Sequence, residues 1–189
     1  MNPGIPQVPD SFETKRLFIR LPLPGDGKAV HEAQQASMHD LLPWMAWAHH
    51  VSSVEQTEEG VRQAHNDFLR RKDLRFHVFS KQTGRFIASS GLHQINWYVP
   101  RMEIGYWIDS RHSGKGYMTE AVAGIAEFAF YKLNAHRLEI CCDPLNAQSR
   151  AIPERLGFSL EAILKQDDRS ADGRSFRDTC LYAKLNPAH

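Results

Sequence analysis

The sequence lacks a long apolar run and has almost no net charge. No stretch approaches the roughly 18 apolar residues that a membrane helix needs, so we expect no transmembrane segment. The opening residues, MNPGIPQVPD, lack the charged and apolar regions of a signal peptide. A formal net charge of +1 gives no reason to expect direct contact with nucleic acid or with a membrane. We therefore expect a soluble protein of the cytoplasm.

Cysteine is scarce, and no metal-binding spacing is present. Cys141, Cys142 and Cys180 lie in strand-like segments and are odd in number, which favours reduced, buried thiols. The chain has no C-x-x-C pair, and its 10 histidines show no H-x-x-x-H spacing, so we expect no metal site. A cysteine nucleophile is a rival idea for catalysis, but neither Cys141 nor Cys142 has a histidine and an acid beside it.

Length and composition indicate one folded domain. The chain has 189 residues, of which 42% are apolar and 24% are charged, ordinary values for a globular protein. Pro3, Pro6 and Pro9 predict a loose N-terminal arm over residues 1–11. Residues 12–186 show no repeat and no linker long enough to divide them, so we expect a single domain there.

The order of strand-like and helix-like segments predicts an α/β (α+β) fold, with a sheet covered by helices. Alternating β-branched and aromatic residues predict strands over 16–21, 75–80, 85–94, 102–108, 137–142 and 179–185. Apolar residues at three- and four-residue spacing predict helices over 27–38, 56–71, 118–129 and 146–156, the second starting near Thr57. The polar stretch 167–174 is rich in turn-forming residues and predicts a loop.

The most informative segment is RHSGKG, residues 111–116, between a strand-like stretch and a helix-like one. At such a junction, unpaired backbone N–H groups and the positive end of the helix dipole meet at one point. Gly114 and Gly116 lack Cβ atoms and let an anion approach the backbone closely. Arg111 and Lys115 add positive charge. The segment therefore predicts a phosphate or pyrophosphate site.

A strand-to-helix turn without a ligand is the alternative, because a lone G-x-G is a weak motif. The phosphate loop of nucleotide-hydrolysing enzymes does not fit, since Gly114 to Tyr117 lacks the Lys-Ser/Thr ending. A Rossmann loop needs a third glycine and an acidic residue about 20 residues further on, and neither is clear here.

The neighbourhood of this loop resembles the acyl-CoA-binding core of the GNAT superfamily of N-acetyltransferases, whose pyrophosphate loop has the pattern Q/R-x-x-G-x-G/A. The resemblance spans roughly residues 14–185 and is strongest over 103–158. Within the superfamily the chain is most similar to the RimJ/RimL type, which acetylates the α-amino group of ribosomal proteins. The supporting segments are ETKRL at 13–17, WMAW at 44–47, EIGYW at 103–107, NAQSR at 146–150, LGF at 156–158, ILKQ at 163–166 and LYA at 181–183.

The resemblance implies a mixed, splayed sheet flanked by helices, and acetyl-CoA as the co-substrate without a metal. It also implies direct attack by the amine, with the oxyanion held by a backbone N–H within 106–108. The residues implied in binding CoA are Ile108, Arg111, His112, Ser113, Gly114, Lys115, Gly116, Tyr117, Asn146 and Ser149.

The reaction itself demands a proton acceptor. An amine attacks a thioester only when unprotonated, yet an α-amino group with a pKa of about 8 is mostly protonated at neutral pH. Two carboxylates are candidates for the base. Glu103 lies on the strand before the loop, and Asp168 resembles the carboxylate assigned as base in the RimJ/RimL type. For Asp168 the alternative is a solvated charge in a polar loop.

The departing thiolate needs a hydrogen-bond donor. Many relatives place a tyrosine seven residues after the helix-opening asparagine, but that position is Pro153 here. The resemblance makes Ser149 the substitute, and its alternative role is to cap its own helix. Asn146 is expected to cap the helix and to contact the pantetheine arm. Pro153 has no N–H for the Ser149 carbonyl, which allows a bend at that turn.

The acceptor is predicted to be a protein N-terminal amine, bound near Trp44, Trp47 and Tyr106. Both tryptophans have core packing as their alternative role. Two other functions remain open: acetylation of a small amine such as a polyamine, amino acid or antibiotic, and a CoA-binding regulatory module without turnover. A homodimer is left open as well.

Overall fold

A computed structural model describes residues 6–50 and 52–187. Within that part the chain forms one sheet with the strand order β1-β2-β3-β4-β5-β6-β8-β7. The strands are β1 Ser11–Glu13, β2 Leu17–Arg20, β3 Leu74–Ser80, β4 Phe86–Asn96, β5 Arg101–Ile108, β6 Arg137–Cys142, β7 Ser159–Arg169 and β8 Phe176–Leu185. The α-helices are α1 Gly27–Leu41, α2 Val54–Leu69, α3 Tyr117–Lys132 and α4 Ala147–Arg155. The predicted mixed sheet flanked by helices is confirmed.

The sheet splits between β5 and β6, the one parallel pair among the described strands. Paired positions run from Arg101 with Arg137 to Glu103 with Glu139. The strands then continue to Ile108 and Cys142, but beyond Glu103 and Glu139 their described residues have no paired positions with each other. The backbone groups on the facing edges beyond Glu103 are therefore available to a ligand rather than to the ladder.

Helices cover the two faces of the sheet differently. Met102 and Ile104 of β5 lie in the main apolar core together with the buried face of α3. Trp107 points to the opposite face, where it packs against a smaller cluster that includes Val30 of α1 and Val61 of α2. This alternation follows from the two-residue period of a strand. The end of β5 consequently presents side chains to both sides of the split.

The start of α2 differs from its prediction near Thr57. The helix begins at Val54, after Ser53 as its N-cap. Ser53 Oγ accepts a hydrogen bond from Gln56 N at 3.2 Å, and Gln56 Oε1 accepts one from Ser53 N at 2.9 Å. This reciprocal capping box satisfies two N–H groups of the first turn and fixes the start of the helix.

The loop predicted over 167–174 is wrong for residues 167–169. Strand β7 runs from Ser159 to Arg169, so Asp168 lies in a strand, opposite Arg177 of β8. Most β7 side chains are exposed because β7 forms an edge of the sheet. An edge strand with little burial lacks the apolar alternation on which the prediction depended.

The N-terminal arm, predicted as loose over residues 1–11, is described only from residue 6, and residues 1–5 lie outside the described part. Val8 packs against the main core. The carbonyl of Asp10 accepts a hydrogen bond from Leu21 N at 2.8 Å, and Ser11 begins β1. The last residues of the arm therefore contact the sheet.

A buried ionic cluster fixes the start of α1, the helix that leads to the loop carrying Trp44. Asp26 accepts hydrogen bonds from Arg20 at 2.7 and 2.8 Å and from His77 Nδ1 at 2.7 Å. His77 is only 2% exposed. Although burial alone would raise the pKa of Asp26, the hydrogen bonds from His77 and Arg20 hold it well below its usual range.

We expect Asp26→Ala to lower the free energy of unfolding by about 3 kcal/mol, because it leaves the buried His77 and the partly buried Arg20 without their carboxylate. Urea denaturation at neutral pH measures the change, with the exposed Glu59→Ala as the control. Because the pKa of Asp26 is depressed in the folded state, its contribution is present above the usual carboxyl pKa. That contribution disappears as pH falls through the folded-state pKa. Equal stability of Asp26→Ala and Glu59→Ala would contradict this role.

Candidate active site

A cleft of about 590 Å³ lies where β5, α3 and α4 meet beneath the loop after α1. Its lining comes from four segments that are distant in sequence. The end of α1 and the loop after it contribute Asp40, Leu41, Trp44 and Met45, and β5 with the following turn contributes Tyr106, Trp107, Ile108 and Ser110. The glycine loop and the start of α3 contribute Ser113, Gly114, Gly116, Tyr117, Met118 and Thr119. The N-cap and the turns of α4 contribute Asn146, Ala147, Gln148, Ser149, Ala151, Ile152 and Arg155. The cleft thus contains the glycine loop, Asn146 and Ser149.

The glycine loop has the backbone conformation of an anion-binding turn. Gly114 has φ of 73° and Gly116 has φ of 74°, both in the left-handed region that favours glycine. Gly116 is the N-cap of α3, so the helix presents its first N–H groups and the positive end of its dipole to the cleft. A Cβ added at residue 114 would have no neighbouring atom within 4 Å, so the loop is open on that side.

The basic residues Arg111 and Lys115 lie outside the cleft, whereas Gly114 and Gly116 line it. Arg111 forms an ion pair with the buried Asp109, with Nη2 at 2.6 Å from Oδ2, and Lys115 Nζ donates to the Arg111 carbonyl at 3.0 Å. Arg111, His112 and Lys115 lie outside the cleft lining. Asp109 offsets the charge of Arg111, so the donors that the glycine loop contributes to the lining are its backbone N–H groups.

Several residues of the lining were not among the predicted site residues, and Asp40, Trp107 and Arg155 are the charged or aromatic ones. Arg155 is an exposed cation at the end of α4 and is placed to meet a phosphate at the mouth of the cleft. The sequence signal that could have identified Arg155 is its position almost two turns after Ser149 on the same helix. Nothing in the sequence brings Asp40, at the end of α1, toward the loop at 111–116.

Pro153 determines the hydrogen bonding around Ser149. Asn146 caps α4, with its Oδ1 accepting from Ser149 N at 3.0 Å. Because Pro153 has no N–H, the Ser149 carbonyl lacks its helical donor. Instead it accepts a hydrogen bond from the Tyr106 hydroxyl at 3.0 Å, and Ser149 Oγ donates to that hydroxyl at 3.3 Å. Tyr106 and Ser149 therefore form one hydrogen-bonded pair in the cleft.

Burial controls the ionisation of the hydroxyl and thiol groups around this pair. It raises the pKa of Tyr106 far above its usual value. Burial also raises the pKa of Cys142 to about 11 and that of Cys141 to about 12. Both thiols are thus protonated at neutral pH, which removes the support for a cysteine nucleophile, since the thiolate is the reactive form.

Glu103 lies at the point where the sheet splits, on the face of β5 opposite to Tyr106. Burial raises its pKa above the usual carboxyl range, and the neighbouring Glu139 acts in the same direction, while His93 opposes them. A carboxylate with a raised pKa accepts and returns protons closer to neutral pH. Glu103 is outside the lining of the cleft and reaches it only through the split.

Asp168 has the opposite electrostatic environment. Its carboxylate is 58% exposed and forms an ion pair with Arg177 at 2.9 Å. The hydrogen bond from Arg177 holds the pKa of Asp168 below its usual value. Arg177 also donates to the carbonyl of Trp44 at 3.5 Å, which ties the β7–β8 hairpin to the loop over the cleft.

The three residues predicted to bind the acceptor lie in different settings. Tyr106 and Trp44 line the cleft. Trp47 is outside that lining, in the short 3-10 turn Ala46–His49, and its ring stacks obliquely on Trp107 at 5.6 Å between centroids. Trp47 therefore supports Trp107, which does line the cleft.

The described residues contain neither a cluster of metal ligands nor a membrane-spanning helix. Over 6–50 and 52–187, no group of three or more His, Cys, Asp or Glu residues is arranged to hold a metal ion. In the same part of the chain, no helix has the length and apolar character to span a membrane.

Sequence comparison places the chain among acetyltransferases. Residues 16–159 match the acetyltransferase (GNAT) domain family. The "Probable N-acetyltransferase YjcK" of Bacillus subtilis is 35% identical over 136 residues, which cover 69% of this chain and 74% of the relative. The "Putative ribosomal N-acetyltransferase YdaF" of the same bacterium is 31% identical over 173 residues, 90% of this chain and 92% of the relative.

Solved structures share the fold. The ribosomal L7/L12 α-N-protein acetyltransferase RimL, bound to coenzyme A, superposes with a TM-score of 0.85 at 21% identity and covers 96% of this chain and 99% of its own. The microcin C7 self-immunity acetyltransferase MccE, bound to acetyl-CoA and AMP, gives a TM-score of 0.85 at 21% identity and covers 94% and 97%. At this identity both establish the common fold.

Proposed function

This chain belongs to the GNAT family of acetyl-CoA-dependent N-acetyltransferases, and from that premise we propose that its acceptor is the α-amino group of a protein N-terminus. The observation that carries the proposal is the similarity to relatives named as ribosomal acetyltransferases. YdaF matches over 90% of the chain. The ribosomal-protein-serine acetyltransferase of Escherichia coli (strain K12) is 29% identical over 74% of the chain and 75% of the relative.

The shape of the cleft is compatible with a chain end as acceptor. The loop carrying Trp44 and the β7–β8 hairpin meet through Arg177 and leave the split between β5 and β6 beneath them. We place an extended peptide terminus in this split, with its amine first. Asp40, in the lining, offers a carboxylate to a positively charged terminus.

The split also accounts for how the thioester is held. In a strand with two neighbours, alternate N–H groups point to each side. Beyond Glu103, the β6-facing edge of β5 has no paired positions over its described length. An N–H within 106–108 is thus free to hold the thioester carbonyl and the oxyanion that forms there. The pyrophosphate of CoA then meets the N–H groups that follow Gly114 and Gly116.

Glu103 is the general base in this mechanism. Its raised pKa brings proton transfer closer to neutral pH, and it stands at the last paired position before β5 and β6 separate. Asp168 is held by Arg177 with a lowered pKa, so we assign it to anchoring the β7–β8 hairpin.

The Tyr106–Ser149 pair stabilises the departing thiolate by hydrogen bonding. The Ser149 hydroxyl turns from Tyr106 toward the sulfur and donates a hydrogen bond as the negative charge develops. Tyr106 keeps Ser149 in position through the carbonyl that Pro153 leaves free. The proton that finally resides on CoA is exchanged with water, because a serine hydroxyl is too weak an acid to supply it outright.

We expect Ser149→Ala to lower kcat by about 10–100-fold, the scale of losing one hydrogen bond that forms in the transition state. The KM for acetyl-CoA should change little. Steady-state kinetics under conditions where chemistry limits turnover measure both values, with the exposed Ser159→Ala as the control. An unchanged kcat in Ser149→Ala would leave Ser149 as a helix-capping residue only.

The acceptor itself is tested by turnover of acetyl-CoA with two panels. One contains short peptides with a free N-terminus and the same peptides with a blocked N-terminus; the other contains polyamines, amino acids and aminoglycosides. We expect turnover with the free peptides only. Preference for the second panel would replace the proposal by small-amine acetylation, and CoA binding without turnover on either would indicate a regulatory module.

A further inference from the structure

We propose that His93 and Asp73 form a proton path from Glu103 to the open groove between α2 and the β4–β5 turn. His93 and Asp73 act through Glu103 and have no contact with the substrates, so they are positioning residues. The inference rests on the proposed role of Glu103 as base and extends it, by stating where the proton goes after Glu103 has taken it.

The proposed path starts where β4 pairs with β5. His93 lies directly opposite Glu103, so both side chains project from the same face of the sheet. The His93 ring leans over Gly105, toward the split. A Cβ at residue 105 would lie 3.0 Å from Cδ2 and 3.2 Å from Nε2 of the ring. Gly105 thereby provides the room that the imidazole occupies beside Glu103.

The other ring nitrogen is bound to a carboxylate. His93 Nδ1 donates to Asp73 Oδ2 at 2.5 Å. Such a bond fixes the tautomer and leaves Nε2 as the nitrogen that accepts a proton. Asp73 and His93 both line a groove of about 900 Å³ on the surface. The pair therefore connects the partly buried Glu103 with open solvent.

The backbone of β4 is irregular immediately after His93. Gln94 has φ of 48°, in the left-handed region, and the register with β5 shifts between His93 and Asn96. Bulges of this kind re-aim the side chains beside them and are frequent near active sites. Here the irregularity accompanies a histidine that leans along β5 toward the split.

The charged and titratable groups around the path come from several elements. Glu103 interacts with His93 from β4 and with Glu139 and Cys141 from β6. Arg101 and Arg137 pair with Glu139 at 4.0 and 2.6 Å. The ionisable groups that line the groove are Asp67, Lys72, Asp73, Arg75, His93 and Arg101. Among these groups His93 is the one that lies opposite Glu103 and is bound to Asp73.

The overall reaction releases a proton, and that proton needs a route to solvent. An ammonium acceptor and acetyl-CoA give an amide, CoA thiol and one proton in excess. Two protons leave the nitrogen: one ends on the CoA sulfur and the other must reach solvent. Glu103 takes this second proton and passes it to His93 Nε2. The imidazolium is stabilised by Asp73 through Nδ1–H and releases the Nε2 proton to water in the groove, which returns Glu103 to its ionised form and His93 to its starting tautomer.

The test uses His93→Gln and Asp73→Asn, with Asp67→Asn as a charge-matched control from the same groove. At low buffer concentration and neutral pH, we expect His93→Gln to lower kcat/KM by about tenfold and Asp73→Asn by less. The acid limb of the pH profile should move to higher pH in His93→Gln, because Glu103 loses a neighbour that favours its ionised form. Raising the buffer concentration should restore activity in His93→Gln and leave the wild type and Asp67→Asn unchanged.

A double variant separates this inference from the proposed function. In a Glu103→Gln background, adding His93→Gln should lower kcat/KM by less than about twofold, since both changes interrupt one path. Full additivity, or a folded His93→Gln with the pH profile and buffer response of the wild type, overturns the proton path. Wild-type protein without acetyl transfer to any peptide would instead overturn the proposed acceptor.

Discussion

Glu103→Gln is expected to lower kcat/KM by about 100- to 1000-fold at pH 6, the effect of losing a general base. The amide has nearly the same size and cannot accept the proton. Burial raises the pKa of Glu103, so the wild type gains activity as rising pH ionises this group. The deficit of the variant should shrink above a pH of about 8, because an α-amino group then loses its proton unaided.

Asp168→Asn is the matched comparison for the same measurement. Its carboxylate is already held by Arg177 with a lowered pKa, so it remains ionised across the working range. We expect a small loss that does not vary with pH, from loosening of the hairpin. Profiles of kcat/KM against pH for both variants decide the assignment. If the pH-dependent loss appears in Asp168→Asn and not in Glu103→Gln, the two roles are reversed.

Gly116→Val is expected to weaken CoA binding by about 100-fold, or about 2.8 kcal/mol. Gly116 has φ of 74°, and a β-branched residue in the left-handed region is strained by at least about 1–2 kcal/mol. The loop must therefore change its backbone, which moves the N–H groups at the start of α3 away from the pyrophosphate. The added side chain also narrows the approach of the anion.

The matched control for this change is Gly84→Val. Gly84 has φ of 67° in the turn between β3 and β4, and a Cβ there meets nothing within 4 Å. It therefore imposes a similar backbone strain away from the cleft. Calorimetric titration with CoA should show normal affinity for Gly84→Val and weak binding for Gly116→Val. Wild-type affinity in a folded Gly116→Val would exclude residues 111–116 as the pyrophosphate site.

Local sequence patterns are sufficient to predict many of the strands and helices. Strand β6 has the predicted bounds, 137–142, because its alternating buried residues lie between clear turns. The glycine loop was located because Gly114 and Gly116 stand at a strand-to-helix junction, where backbone conformation depends on neighbouring residues alone. The helix after Asn146 was likewise marked by its capping residue.

Contacts between distant segments were beyond the reach of local patterns. The hydrogen bonds of Tyr106 to Ser149 join residues 43 positions apart, and they exist because Pro153 frees a carbonyl. The ion pair of Asp168 with Arg177 depends on an exposed edge hairpin whose polar sequence resembles a loop. The bond of His93 to Asp73 likewise requires the register of β3 with β4 to be known first.

The most direct test of the central claim is to locate the acetyl group on a peptide that carries both a free α-amine and an internal lysine. The protein is incubated with this peptide and acetyl-CoA at neutral pH, and fragmentation mass spectrometry assigns the modified nitrogen while CoA release is measured in parallel. We expect one acetyl group on the α-amine for each CoA released, with the lysine unmodified. Acetylation of the lysine, or CoA release without acetylated peptide, would contradict it.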